Sequence, residues 1–305
     1  MSDPEEYGCG RRAFEAFPKL RDRTIIKVPK KYLWPLVGCF VMFFIVLART
    51  PSRVETMANR SFIRGNAGRP SIYSYMGTSE MIKFDSQSEM EEILSFWKSK
   101  WSEAGWDAIV LKEEDARLHP LFTQLEEDPG VHRWLAMSVS GGIWYADYRT
   151  YPIRMTPKIA SNPPNDGLFT VHDPRFNHGY RPTLISAMTS EWERIIDQVS
   201  PYANSEIKIP KHEEVIIESN VEKQGRINVE NWVASGVHGT ADASRTNLDC
   251  AYYSTGTVVH MTRTDIKAGI QLGLLQNDER AQSDVPYLQK FLLMLRTQCP
   301  FAQEG

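Results

Sequence analysis

Little in this 305-residue sequence favours one sign of charge: 35 basic side chains face 38 acidic ones, a formal balance of −3. No global positive field results, and basic stripes and stacking motifs are absent too, so nucleic acid is rejected as a partner. Cysteine is scarce, with four residues, no C-x-x-C pair and no Cys/His cluster at metal-ligand spacing. That leaves no basis for a structural zinc site. There is no G-x-S-x-G elbow, and Ser138, Ser140 and Ser254 have no His/Asp partners at hydrolase spacing. Internal repeats and low-complexity tracts are missing as well.

One uncharged run stands out, residues 32–48, YLWPLVGCFVMFFIVLA. As a helix it spans about 25 Å, enough for a thin bilayer. Tyr32 and Trp34 lie at one end, where interfacial aromatics belong, and Pro35 sits in the first turn, where its missing N–H costs little. Lys19, Arg21, Arg23, Lys27, Lys30 and Lys31 crowd the preceding flank, against Arg49, Arg53 and Arg60 after it. Positive-inside bias therefore predicts a cytosolic tail at 1–31, an uncleaved anchor in membrane lipid at 32–48 and the rest of the chain across the membrane. Residues 49–70, with Pro51, Gly65, Gly68 and Pro70, read as a stem carrying an N-glycosylation acceptor at Asn59-Arg60-Ser61. Cys9 and Cys39 precede or lie within the span. Cys250 and Cys299 remain, as one disulfide in an oxidising lumen or as two separate buried thiols.

From residue 71 to 305 the pattern is that of one α/β domain. A strand at Ile72–Tyr75 precedes a helix capped by Ser86 or Ser88, with Met90, Ile93, Leu94, Trp97 and Trp101 at helical spacing. Gly105 ends that helix, and Ala108–Leu111 reads as a buried strand. Strand, helix, strand is the start of a sheet with a crossover helix. Trp97, Trp101 and Trp106 fit a core better than a sugar-stacking platform. Further on, Phe169–His172 is expected as a strand, and Ser190 with Glu193 as a capping box for a helix to Val199. Val215–Ile217 is an alternating segment, 232–249 a Gly-rich loop, Thr257–His260 a late strand and Tyr287–Leu295 a closing helix.

The organising stretch is 134–152, WLAMSVSGGIWYADYRTYP. An apolar segment enters Gly141-Gly142, and a β-prone run delivers Asp147 at its end. Glycines let backbone approach a bulky ligand, and a strand fixes the acid beyond them. The same residues also suit a plain helix, turn and strand with Asp147 as a turn cap.

The stretch resembles the donor-sugar region of membrane-anchored glycosyltransferases with an Asp-x-Asp motif. Arg133-Trp134-Leu135-Ala136-Met137, Gly141-Gly142, Asp147-Tyr148-Arg149 and Tyr151-Pro152 fall in that family's order. Trp97, Trp101, Gly105-Trp106, Val110-Leu111, Asp115-Ala116 and His119-Pro120 fit upstream; Pro182-Thr183-Leu184 and Ser190-Glu191-Trp192 fit downstream. The likeness covers roughly residues 71–199. It implies a GT-A-like nucleotide-sugar-binding sandwich with a mixed central sheet, a UDP- or GDP-sugar donor, a glycan or glycoconjugate acceptor, and residence in the Golgi or endoplasmic reticulum.

In such enzymes the first acid contacts sugar and ribose and the last holds a divalent metal, commonly manganese. Asp147 takes the first role; the last acid is replaced by Arg149, which cannot bind a cation. Its guanidinium could pair with the diphosphate directly, or point to solvent in a chain that has lost donor binding, or metal dependence could be kept through another acid. His260 is a candidate second contact to the diphosphate, or a satisfied core histidine. His238 and Asp242 are weak candidates for a base and its orienter. Two function classes follow, a type II membrane glycosyltransferase and a non-catalytic sugar-binding or scaffolding relative.

Overall fold

Strand β1 (Ser71–Met76) is buried from Ile72 onward and splits its side chains between two cores. Ile72 and Met76 enter one, Tyr73 and Tyr75 the other. A strand so covered belongs at the centre of a sheet with helices on both faces. This computed structural model describes residues 68–126, 129–159, 162–178, 181–199, 227–241, 246–278 and 281–303. The expected tail, apolar span and stem as far as residue 67, the Val215–Ile217 segment and Asp242 lie outside the described residues. Among the described residues no helix is long and apolar enough to cross a membrane.

After β1, a one-turn helix (Thr78–Met81) leads into α1 (Gln87–Glu103), capped by the Ser86 hydroxyl accepting from the Glu89 N–H. This helix crosses to β2 (Asp107–Lys112), parallel to β1. Helix α2 (Pro129–Ser140) then leads to β3 (Trp144–Ala146), parallel to β1 on its other side. The chain continues through β4 (Thr150–Pro152), β5 (Thr170–Val171), β6 (Leu184–Ser186), α3 (Thr189–Val199) and β7 (Asn228–Val229). The resulting mixed sheet has the order β2-β1-β3-β6-β5-β7, with β6 antiparallel to both neighbours. The fold is α/β around a mixed sheet.

A smaller sheet, β4-β11-β8, is made by β8 (Val233–Ser235) and β11 (Val258–His260) with β4. Between them lie the β9 (Gly239–Ala241) and β10 (Thr246–Leu248) pair and a one-turn helix (Cys250–Tyr253); α4 (Arg263–Gln271) and α5 (Val285–Gln298) follow. The tryptophans hold this sheet to the main one. Trp101 Nε1 donates to the Thr150 carbonyl and Trp106 Nε1 to that of Met155, each at 3.0 Å, from wholly buried positions. Buried indoles with satisfied N–H groups are core.

Three local expectations are corrected. Strand β2 is the sheet's edge and only half-buried, because nothing pairs on its outer side among the described residues. Helix α3 begins at Thr189 without the Ser190–Glu193 box, since the Glu193 carboxylate is taken by Ser138 and His119. Residues 232–249 are not a loop, for β8 buries Val233 and Ala234 in parallel register with Val258 and Val259.

Cys250 and Cys299 form a disulfide with Cα atoms 5.4 Å apart, tying the one-turn helix to the end of α5 across 49 residues. Closing a loop of that length removes unfolded-chain entropy worth about 4 kcal/mol. The double variant Cys250→Ser/Cys299→Ser should therefore lose stability of that order in urea titration. An unchanged midpoint would mean the bond constrains nothing that unfolds.

Candidate functional site

Parallel strands β1, β2 and β3 all end at the same edge, the edge where open α/β sheets receive ligands. Residue Asp147 follows β3 there. Its N–H donates to the Thr183 carbonyl (2.8 Å), and its carbonyl accepts the Thr150 N–H (2.8 Å) in a turn. Within that turn Oδ1 accepts the Arg149 N–H at 2.9 Å. The same oxygen lies 3.7 Å from His260 Nε2, at the end of β11. Burial pushes the Asp147 carboxyl up, but the His260 ring, the Arg149 N–H and the Arg149 charge outweigh it, so its pKa lies below the ordinary value. Asp147 is an anion at neutral pH.

On its other side, His260 Nδ1 lies 3.4 Å from Arg175 Nη2. A guanidinium only donates, so Nδ1 accepts and the ring proton sits on Nε2, turned toward Asp147. The 3.7 Å separation there is too long for a full hydrogen bond. Arg175 is held by the wholly buried Asp173, with Nε at 2.9 Å and Nη2 at 2.6 Å. Asp173 also accepts the Thr183 hydroxyl at 2.8 Å, so one threonine joins both acidic segments.

Arg149 behaves differently from either expectation. It neither faces solvent nor points free into the site: its side chain is 11% exposed and Nη2 pairs with Asp284 at 2.8 Å. Nη1 is buried without a hydrogen-bond partner among the described residues. Arg263 reaches the same Asp284 at 3.4 Å, as well as Asp85 at 2.9 Å and Glu89. This network clasps the β3 turn to the start of α5 and the start of α1. The sequence spacing had no means of showing it, because Asp284 is 135 residues from Arg149 and follows no motif.

Gly141 and Gly142 are also reassigned. They lie at the amino end of β3, about 15 Å along the strand from Asp147. Gly141 turns the chain at φ +66°, and a Cβ on Gly142 would come within 2.7 Å of the Tyr73 ring and 2.9 Å of Met137 Cε. The glycines accommodate packing, and the Gly142 carbonyl accepts Trp192 Nε1 at 2.9 Å. His238 is exposed, stacks on Tyr252 with ring centres 3.9 Å apart, and donates from Nε2 to the Ser235 carbonyl (2.8 Å). Its expected partner Asp242 lies outside the described residues.

Next to this edge is a cavity of about 390 Å³, lined by residues that include Tyr75, Thr78, Glu113, Glu126 and His132. Tyr73 on β1 is level with Tyr145 on β3. Two residues further along β1 is Tyr75, whereas Asp147 lies past the end of β3, in the turn that follows it. Sequence reasoning passed over Tyr75, Asp173, Arg175 and Asp284. Only the Asp173-x-Arg175 spacing, in a loop rich in polar residues, offered a signal.

The divalent metal that the Asp-x-Asp resemblance implies does not fit the residues present around Asp147. Among the described residues no group of three or more His, Cys, Asp or Glu side chains is placed to hold one. The groups around Asp147 are an imidazole and two guanidinium-bearing neighbours, a donor set of the wrong charge for a hard dication.

No protein-family model and no curated protein matches the chain. Among solved structures it is similar to a crystal structure of "a glycosyltransferase involved in the glycosylation of the major capsid of PBCV-1". The TM-score is 0.32 at 13% identity, over 68% of this chain and 100% of that one. So slight an overlap carries no residue roles across.

Removing one member of a buried ion pair strands the other and costs about 3–5 kcal/mol. Arg149→Ala should thus destabilise the domain by no more than about the lower figure, since Arg263 still answers part of the Asp284 charge, and Arg149→Ala/Asp284→Ala should recover most of it. Additive losses in a urea double-mutant cycle would show that the two charges are uncoupled.

Proposed function

We propose that residues 71–305 are the GT-A-like donor-binding domain of a type II membrane glycosyltransferase, which moves a sugar from a nucleotide-sugar to a glycan or glycoconjugate. The observation that carries this reading is the constellation at the carboxyl edge of the sheet. An ionised Asp147 and the Nε2–H of His260 stand 3.7 Å apart, backed by Arg175.

Each group has a part. Asp147 accepts hydrogen bonds from donor hydroxyls, as an anion fixed by its own turn. His260 Nε2–H donates to an oxygen of the diphosphate, and the Arg175 charge behind it favours an anion there. In the transfer, the bond from the anomeric carbon to the diphosphate breaks, a bond to the acceptor oxygen forms, and the acceptor proton passes to the departing diphosphate. Arg149 has no part in this scheme. Its charge is answered by Asp284, and it secures the turn that presents Asp147. A divalent metal is likewise left out, on the mismatch of residues described above.

One observation favours the second reading, a non-catalytic sugar-binding relative. The position of the metal-binding acid is an arginine paired with Asp284. The two readings part on turnover. Asp147→Asn keeps the shape and removes the charge, and should lower nucleotide-sugar affinity by about tenfold or more. Unchanged affinity in calorimetry would end the donor-site assignment, whereas binding without release of nucleoside diphosphate would select the non-catalytic protein.

The Cys250–Cys299 disulfide supports placing this domain in an oxidising lumen of the Golgi or endoplasmic reticulum, anchored through 32–48. Translation with microsomes should then glycosylate Asn59 and shield the domain from added protease. An unmodified Asn59 with a digestible domain would reverse the orientation.

A further inference from the structure

The edge that carries Asp147 is crossed by an ion pair. In the main sheet β3 lies between β1 and β6, parallel to the first and antiparallel to the second. The end of β1 and the start of β6 therefore flank the end of β3 at one edge. Glu80 stands on the one-turn helix that follows β1, and Arg181 stands just before β6. Two strand spacings, about 10 Å, separate β1 from β6. Arg181 Nη1 nonetheless pairs with Glu80 Oε1, so the pair spans the end of β3. Asp147 lies at that end, with its N–H on the Thr183 carbonyl.

Both charges reach the residues around Asp147. Burial pushes the Tyr145 phenol up; Asp147 and Glu80 add to the rise, and Arg133 and Arg181 oppose it. Tyr148 is raised by burial and then by Asp147 and Glu80.

The pair is lopsided. The Glu80 side chain is 9% exposed and that of Arg181 is 37% exposed. Glu80 Oε2 also accepts from Lys83 Nζ at 2.6 Å, so the carboxylate keeps a cation when Arg181 departs. Arg175, by contrast, makes two bonds to the wholly buried Asp173 and cannot leave without uncovering that charge. Arg149 is enclosed against Asp284. An ion pair that opens on solvent is weakly held, and Arg181 is the arginine whose partner has a second cation and whose own side chain reaches water.

We propose that Arg181 is a binding residue for the diphosphate of the donor, and that it exchanges Glu80 for that group when a nucleotide-sugar enters. This rests on the donor reading above. A guanidinium makes two parallel bonds to a phosphate as readily as to a carboxylate, and a diphosphate carries more charge than a carboxylate already answered by a lysine. The Glu80–Arg181 pair then bars the space over Asp147 until a donor enters, and keeps a cation in place for the anion that opens it. Lys83 sets how firmly: by answering part of the Glu80 charge, it loosens the hold on Arg181.

Calorimetric titration of the full-length protein in detergent with GDP and with UDP tests the exchange. Arg181→Gln should weaken both nucleotides about tenfold, the worth of one charge-assisted contact. Glu80→Gln keeps the shape and should do the opposite, tightening both severalfold as the arginine is released. Removing any acid near an anion site favours the anion, so the gain has to run through Arg181: in an Arg181→Gln background, Glu80→Gln should bring none. Lys83→Gln alters a side chain that is 53% exposed, and still judges the exchange if Glu80→Gln does not fold. It should weaken both nucleotides severalfold, by leaving Glu80 to Arg181 alone. Affinities unmoved by Arg181→Gln or by Lys83→Gln, or a gain from Glu80→Gln that persists without Arg181, would overturn the exchange and leave the donor site at Asp147 standing. Binding of neither nucleotide by the unaltered protein would remove the donor reading and this inference together.

Discussion

A carboxylate beneath a protein surface has to be answered by a proton, a cation or a set of hydrogen bonds, and the carboxyl edge of this sheet is built around that requirement. Asp147, Asp173 and Asp284 are each recessed, and each is answered differently. Asp173 is closed off by Arg175 and the Thr183 hydroxyl, and Asp284 by Arg149 and Arg263. Asp147 alone is left incomplete, with one backbone N–H and an imidazole standing 3.7 Å away. Two satisfied acids make a rigid frame for one that is not, and an unfilled anion in a rigid frame is a place for a ligand's hydroxyls.

The frame also sets the role of Arg149. A carboxylate at that position would leave Asp284 to Arg263 alone, in a site with little access to water. Arginine there clasps the β3 turn to α5 and steadies Asp147. On the donor reading, the diphosphate finds its positive partner in Arg175 acting through His260.

Much of the fold was legible from periodicity. Ile93, Trp97 and Trp101 at helical spacing, the strand on either side, and Asp147 at a strand end all followed from pattern. Short elements were not legible: β8 is three residues long, and its strand character comes from pairing with β11. Pairings distant in the chain were likewise beyond reach. Glu193 looked like a capping residue because its partners, His119 and Ser138, are far away in sequence. The glycine pair was read toward a ligand because a sequence does not show which end of a strand a turn serves. Gly142 answers to Tyr73 and Met137, at the opposite end from Asp147.

The central claim is that a nucleotide-sugar binds at the carboxyl edge of the sheet, with its sugar at Asp147 and its diphosphate at His260. A crystal structure of the protein soaked with a nucleoside diphosphate measures this directly. The account predicts density for the phosphates beside His260, with Arg149 still paired to Asp284. Density on another surface, or phosphates held by an Arg149 that has left Asp284, would contradict it.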